Sequence, residues 1–538
     1  MLFPSGHKDT FARDHLPPEE SWPVLDFELA DLDYPQILNC AAVLIDAALD
    51  EGFGDKTAIV QGDESLTYAA LAAKTNRIAA VLVEDLGVTP GARILLRGEN
   101  SPAMFACWLA IMKVGAIAVT TMPLLRATEL KPVIRKAQTS LALCAQDLTA
   151  EVEAAFEPSG ALTRMVAFGA PDAELDRLAL DKPATFEPVA TSQDDVCLIA
   201  FTSGTTGEPK ATMHFHRDVL AMCDTFCRHI LKPGPDAIFT GTPPIAFTFG
   251  LGALLVFPLR FRGTIALPYQ SNPDALWQAI ERHGATHVFT SPTGYRAMLT
   301  RAPSDALAGI EVCVSAGEHL PKAVSDGWFE RTGVRLIDGI GATEMIHIFI
   351  SAPPETARPG AVGKAVPGFK ACLLGEDGQA IEGPGVGRLG VRGPTGCRYL
   401  ADDRQRTYVV GGWNVTGDIF RRDEDGYYWY VGRSDDMIVS SGYNIAGPEV
   451  EGALLTHPAV AECAVVGWPD ADRGQVVKAV VVVRPDIEAD PALAKALQDH
   501  VKATLAPYKY PRLVEFRAAL PRTPTGKIQR SALRAAPH

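Results

Sequence analysis

Between residues 55 and 350 the apolar positions fall into short runs of strand length, separated by stretches whose apolar residues recur at helical spacing. Asp55-Lys56-Thr57-Ala58-Ile59-Val60 and Ser65-Leu66-Thr67-Tyr68 predict two short strands, followed by a helix from about Ala69 to Leu86. Arg93-Ile94-Leu95-Leu96 predicts a further strand, and Pro102 to Val114, rich in Ala, Met and Trp, a further helix. The alternation recurs from Val196 through Ile350 and begins with the apolar run Val196-Cys197-Leu198-Ile199-Ala200-Phe201. Strands alternating with helices imply a parallel sheet covered on both faces.

The texture changes around Val386 to Val431, where short strands and Gly/Pro turns predict a β subdomain with a hairpin at Asp425-Gly426. After Gly432 a compact α+β unit follows: Val460 to Val466 and Val476 to Val483 are β-rich, and Pro491 to Leu505 is an amphipathic helix. The expected fold is α/β, with a large N-terminal domain over residues 1–432, a hinge at 433–436 and a small mobile α+β domain over 437–538. The boundary falls at Arg433 to Asp436, where charged and small polar residues separate the two textures.

A chain of 538 residues exceeds the size at which one core keeps growing, and 47% hydrophobic residues can fill two. A net charge of -14, with Lys and Arg scattered, argues against a nucleic-acid partner. The first residues lack the basic-then-apolar order of a secretory signal, and no apolar run approaches the roughly 18 residues of a membrane span. A cytoplasmic enzyme is expected. Ten cysteines without a Cys-x-x-Cys pair read as buried thiols. Cys223 and Cys227, at i and i+4 on a helical face with His229 nearby, lack a second ligand pair, so no transition metal is expected.

The candidate chemistry begins where the strand at Val196 ends, in Thr202-Ser203-Gly204-Thr205-Thr206-Gly207-Glu208-Pro209-Lys210. Gly204 and Gly207 let backbone N–H groups turn toward an anion, the Thr and Ser hydroxyls add donors, and Lys210 adds a charge. Only two residues separate the glycines, so this is not the Walker loop of kinases and GTPases. More than 300 residues later, Thr523-Pro524-Thr525-Gly526-Lys527 offers a second glycine-loop lysine.

With Asp338-Gly339-Ile340-Gly341-Ala342-Thr343-Glu344, Trp413, Thr416-Gly417-Asp418 and Gly432-Arg433-Ser434-Asp435-Asp436, these segments resemble, in order, the motifs of the adenylate-forming enzymes. That family includes acyl- and aryl-CoA synthetases, luciferases and the adenylation domains of peptide synthetases. The resemblance implies ATP and coenzyme A as cosubstrates and Mg²⁺ as the metal. It places ATP phosphates against Thr202, Ser203, Gly204, Thr205, Thr206 and Lys210, Mg²⁺ on Glu344, and the α-phosphate near Thr343. It assigns the ribose to Asp418 and Arg433, and the adenine to Ser315 through His319, including Gly317 and Glu318, and to Asp338 and Gly339. Lys527 would stabilise charge at the attacked phosphorus. Asp435 would be the hinge about which the small domain rotates, bringing Ser441, Gly442 and Tyr443 to the coenzyme A side.

Ile340 stands where many relatives carry Tyr, and Gly339 through Phe349 looks most like benzoate-type ligases. The opening His7 to Asp14 and Thr120 to Arg126 resemble 2-aminobenzoate-CoA ligases. Phe247, Thr248, Phe249, Ile340, Gly341 and His347 are the expected acyl pocket, whose aromatic walls favour a flat ring. A medium-chain or branched aliphatic acid, or a stand-alone adenylating enzyme that loads a carrier protein, remains the alternative. The chain ends at His538 with no carrier domain after Lys527, which weighs against the latter. A ligand-binding protein without catalysis is disfavoured by the intact Glu344, Asp418 and Lys527. A carboxylic acid is the expected partner, with homodimerisation left open.

Overall fold

The strand predicted at Val196 exists because its side chains are apolar on both faces. Val196 to Ala200 are all buried, as a strand covered by helices on both sides requires. The computed structural model describes residues 2–202, 208–303, 305–440, 443–470, 473–523 and 526–534. Among them four sheets form. The first has six strands in the order Arg164–Phe168, Leu141–Ala145, Arg93–Arg97, Ile117–Thr121, Val196–Thr202 and Lys210–Phe215, all parallel except the last. The second has nine, with five parallel pairings at its centre and antiparallel pairings at both ends.

The helix Pro102–Lys113 shows how the layers join. Pro at its first turn and the Ser101 hydroxyl, which accepts from Met104 N, start it. Every residue of it but Ala103 is buried, as expected of a helix with apolar residues all round. Its terminal Lys113 is 1% exposed and stays compatible with the core because Nζ donates to Asp46 Oδ1 at 2.7 Å and Asn76 Oδ1 at 2.6 Å.

The β subdomain is an antiparallel sheet whose long strands, Gly385–Arg392, Trp413–Arg422 and Tyr428–Arg433, carry aromatic and β-branched side chains. The Asp425-Gly426 turn joins the last two as predicted, with Gly426 at φ +82°. The fourth sheet lies within residues 438–516: Val460–Asp470 and Gly474–Val483 form a hairpin, and helix Pro491–Thr504 crosses over to Leu513–Phe516, parallel to the second of them. Its core is separate, built from Ile438, Val450, Leu454, Val465, Val477, Leu497 and others.

Cys223 and Cys227 lie in the π-helix Cys223–Leu231, where a separation of four residues still leaves them on about the same face. Both thiols are buried, and His229 turns instead to Asp31 at 3.2 Å. Among the described residues no helix is long and apolar enough to cross a membrane.

Candidate active site

The strand register sets the first wall. Thr202, at the end of its parallel strand, pairs with Lys210, which begins the antiparallel edge strand. Lys210 Nζ sits 5.5 Å from the centre of the Tyr399 ring, a cation–π distance. The Tyr399 hydroxyl donates to Glu344 Oε1 at 2.5 Å. Burial, and then the Glu344 charge, push the Tyr399 phenol far above its usual range, so it remains a proton donor to that carboxylate. Glu344 is 8% exposed on the single turn Thr343–Met345. Thr343 is held through its backbone, its carbonyl accepting from His214 Nε2 at 2.8 Å.

The second wall comes from the β subdomain. Asp418 lies opposite Arg433 in the ladder Trp413–Arg422/Tyr428–Arg433, and Arg433 Nη1 donates to Asp418 Oδ1 at 3.3 Å and to the Thr416 carbonyl at 3.2 Å. Burial raises the Asp418 carboxyl, while Arg433, and Lys527 from the C-terminal segment, pull it back. Lys527 thus lies near enough to Asp418 for its charge to act on that carboxyl. Arg433 Nε also reaches Asp435 at 3.3 Å, and the Gly417 carbonyl accepts from Ser434 N at 2.9 Å, so the residues expected as hinge lean on the ribose-expected turn. Asp435 itself is exposed.

Strands Val312–Ala316 and Leu336–Gly341 run parallel and pair Ser315 with Asp338 and Ala316 with Gly339. Burial raises the Asp338 carboxyl to about 7, opposed by the hydrogen bond from Gly339 N at 3.0 Å. Gly317, at φ +91°, turns the chain out of the sheet. His319 then stacks on Tyr430 with ring centres 5.5 Å apart. Glu318 accepts from Thr293 Oγ1 at 2.8 Å and from Arg522 Nη1 at 3.3 Å.

Lys527 is exposed on a tight hairpin. Arg522 bridges Ile528, Thr523 N donates to the Lys527 carbonyl at 2.8 Å, and Gly526 adopts φ +82°. Tyr443, on the strand Tyr443–Ile445, is 54% exposed and stacks on Tyr508 at 4.5 Å.

The expected acyl residues gather where the antiparallel end of the nine-stranded sheet meets the segment 247–257. Phe247 and Phe249 are half-buried and Thr248 is buried. Ile340 pairs with Ile350, and a side chain at Gly341 would collide with the His347 carbonyl. His347 lies among Phe226, Phe249 and Phe257 at 5.4, 5.8 and 4.7 Å, against Gly252, with neither ring nitrogen hydrogen-bonded among the described residues. Burial lowers its pKa to about 3, so the ring is neutral at working pH.

Ser203, Gly204, Thr205, Thr206, Ser441 and Gly442 lie outside the described residues. Sequence reasoning passed over Tyr399, which reaches the site through a bridge to Thr212 far away in sequence and so carries no local signal. Arg522, one residue before the terminal motif, likewise carries no local signal of its contact with Glu318.

The profile of AMP-binding enzymes matches residues 46–399, and that of the AMP-binding enzyme C-terminal domain matches residues 449–527. The chain is 36% identical to the benzoate–CoA ligase of Thauera aromatica over 512 residues, 93% of this chain and 97% of that one. It superposes on the anthranilate CoA ligase AuaEII in complex with anthranoyl-AMP with a TM-score of 0.88 at 32% identity, covering 94% of this chain and 98% of that one. A benzoate CoA ligase from Burkholderia xenovorans LB400 gives a TM-score of 0.84 at 31% identity over 93% and 100% of the two chains. With its two profiles in order and relatives matched from end to end, this chain belongs to the AMP-binding enzymes.

Proposed function

We propose that the protein is an AMP-forming ligase that joins an aromatic carboxylic acid, such as benzoate or 2-aminobenzoate, to coenzyme A. The observation that carries this reading is the near full-length likeness to a benzoate–CoA ligase and to an anthranilate ligase solved with anthranoyl-AMP. The aromatic surfaces of Phe247 and Phe249 agree with it, since a flat ring buries area against them. His347 backs Phe249 and shapes that wall.

In the first half-reaction a carboxylate oxygen attacks the α-phosphorus of ATP in line with departing pyrophosphate, giving an acyl-adenylate. Lys210 and the glycine loop before it hold the leaving phosphates. Asp418 and Arg433 take the ribose hydroxyls, Asp338 the adenine amino group, and Thr343 the α-phosphate. Lys527 offsets the charge that concentrates where carboxylate and phosphate meet. Glu344 is a hard oxygen donor suited to Mg²⁺, which would neutralise phosphate charge, and the Tyr399 hydrogen bond fixes the orientation of that carboxylate. In the second half-reaction the thiol sulfur attacks the acyl carbon and AMP leaves. Residues 437–538 rotate about Asp435 between the two steps, withdrawing Lys527 and presenting Tyr443 with its neighbours.

Pyrophosphate release measured over aromatic and aliphatic acids, with and without coenzyme A, tests the reading. Turnover on benzoate or 2-aminobenzoate with thioester formed is expected. Preference for medium-chain or branched aliphatic acids would overturn the substrate class, and acid-dependent release without a coenzyme A thioester would favour carrier-protein loading.

A further inference from the structure

A run of alternating charges crosses twice between the body of the protein and the C-terminal segment. Arg296, on helix Pro292–Arg301, reaches Glu462 Oε1 at 3.5 Å, and Glu462 belongs to the strand Val460–Asp470. Arg522 Nη2 donates to that same Glu462 oxygen. Arg522 Nη1 donates to Glu318 Oε1 at 3.3 Å and to the Gly526 carbonyl at 2.6 Å. Glu318 is in turn fixed by Thr293 Oγ1, on the helix that carries Arg296. The order Arg296, Glu462, Arg522, Glu318 thus leaves one helix, passes through the C-terminal segment and returns to the same helix.

The planar guanidinium fork is suited to this task, since its donors hold fixed directions and engage two carboxylates and a carbonyl at once. One of those acceptors, Gly526, directly precedes Lys527, and Arg522 is also the bridge partner of Ile528 just after it. Arg522 therefore grips both sides of the lysine tip while facing Glu318, in the segment beside the nucleotide site. The four side chains are 19 to 30% exposed, partly shielded yet able to separate.

We propose that Arg522 is a positioning residue for adenylation and that Glu318 is the dock on which it seats the Lys527 hairpin, a contact that must break before the second half-reaction. The proposal rests on the two-step reading above and gives Glu318 a task other than lining adenine. A charge-assisted contact of this exposure corresponds to an effect of about tenfold.

Single-turnover formation of aroyl-AMP, and thioester formation from presynthesised aroyl-AMP, separate the steps. Arg522→Ala is expected to slow the first about tenfold, with the KM for the acid unchanged and the second step unchanged or faster. Arg522→Lys, which keeps the charge and loses the fork, should recover part of the loss. The double variant Arg522→Ala/Glu318→Gln should be no slower than Arg522→Ala alone, because both remove one contact. Equal loss of both half-reactions, or effects of the two substitutions that multiply, would overturn the dock. If Arg522→Ala does not fold, Glu318→Gln alone decides: a loss confined to the first step supports the dock, and no loss overturns it. Should the parent protein adenylate only aliphatic acids, the substrate reading fails while pyrophosphate release with those acids still reads Arg522.

Discussion

The two lysines of the candidate site are held by opposite means. Lys210 is fixed by a β-ladder: it pairs with Thr202, packs toward Tyr399, and shares its surroundings with the buried Glu344. Lys527 is exposed on a short hairpin, and the C-terminal segment that carries it is tied to the body by the partly exposed ion pairs Arg522–Glu318 and Arg296–Glu462. Separating a ladder strand from a buried edge would orphan backbone donors and acceptors, whereas partly exposed ion pairs exchange for water at small cost. On the proposed reading the body holds the leaving phosphates during adenylation, and the C-terminal hairpin visits for that step alone.

That contrast can be broken from either side. Lys527→Ala should reduce adenylation by on the order of 10² to 10³ and leave thioester formation from presynthesised acyl-AMP in place. Rapid-quench assays of each half-reaction read the difference, and equal losses would make Lys527 part of the permanent site. Tyr399→Phe removes the donor to Glu344 while keeping the ring beside Lys210, and about a tenfold loss of adenylation is expected from one charge-assisted hydrogen bond. A Mg²⁺ titration should show a higher requirement in that variant; an unchanged titration would detach Tyr399 from the metal position.

The smallest effect concerns Asp338, raised by burial to about 7. The folded protein keeps a proton there that the unfolded chain has already lost. This group's contribution to stability is therefore full below about pH 4 and fades as pH rises through 7. Asp338→Asn removes the titration, so its melting temperature relative to the parent should be higher at pH 8 than at pH 6. Nucleotide affinity of the parent should rise over the same interval as the carboxylate forms. A melting difference that is flat with pH would contradict the assignment.

Much of the frame was legible because its signals are local. Val196 to Phe201 could only be a buried strand, and Asp425-Gly426 could only turn a hairpin, since both rest on apolar runs and glycine conformations that neighbouring residues reveal. What escaped depends on contacts across the chain. Tyr399 meets Glu344 through tertiary packing, and Arg522 meets Glu318 only once two separate cores are in place.

The central claim is that one site performs two reactions by moving one segment about Asp435. A single substitution reaches it directly: Asp435→Pro fixes φ near -65° at the expected hinge. Aroyl-AMP formation and coenzyme A thioester formation would be measured on the same preparation of that variant. The account predicts adenylation within a few-fold of the parent and thioester formation lost. Unchanged coenzyme A turnover would contradict it.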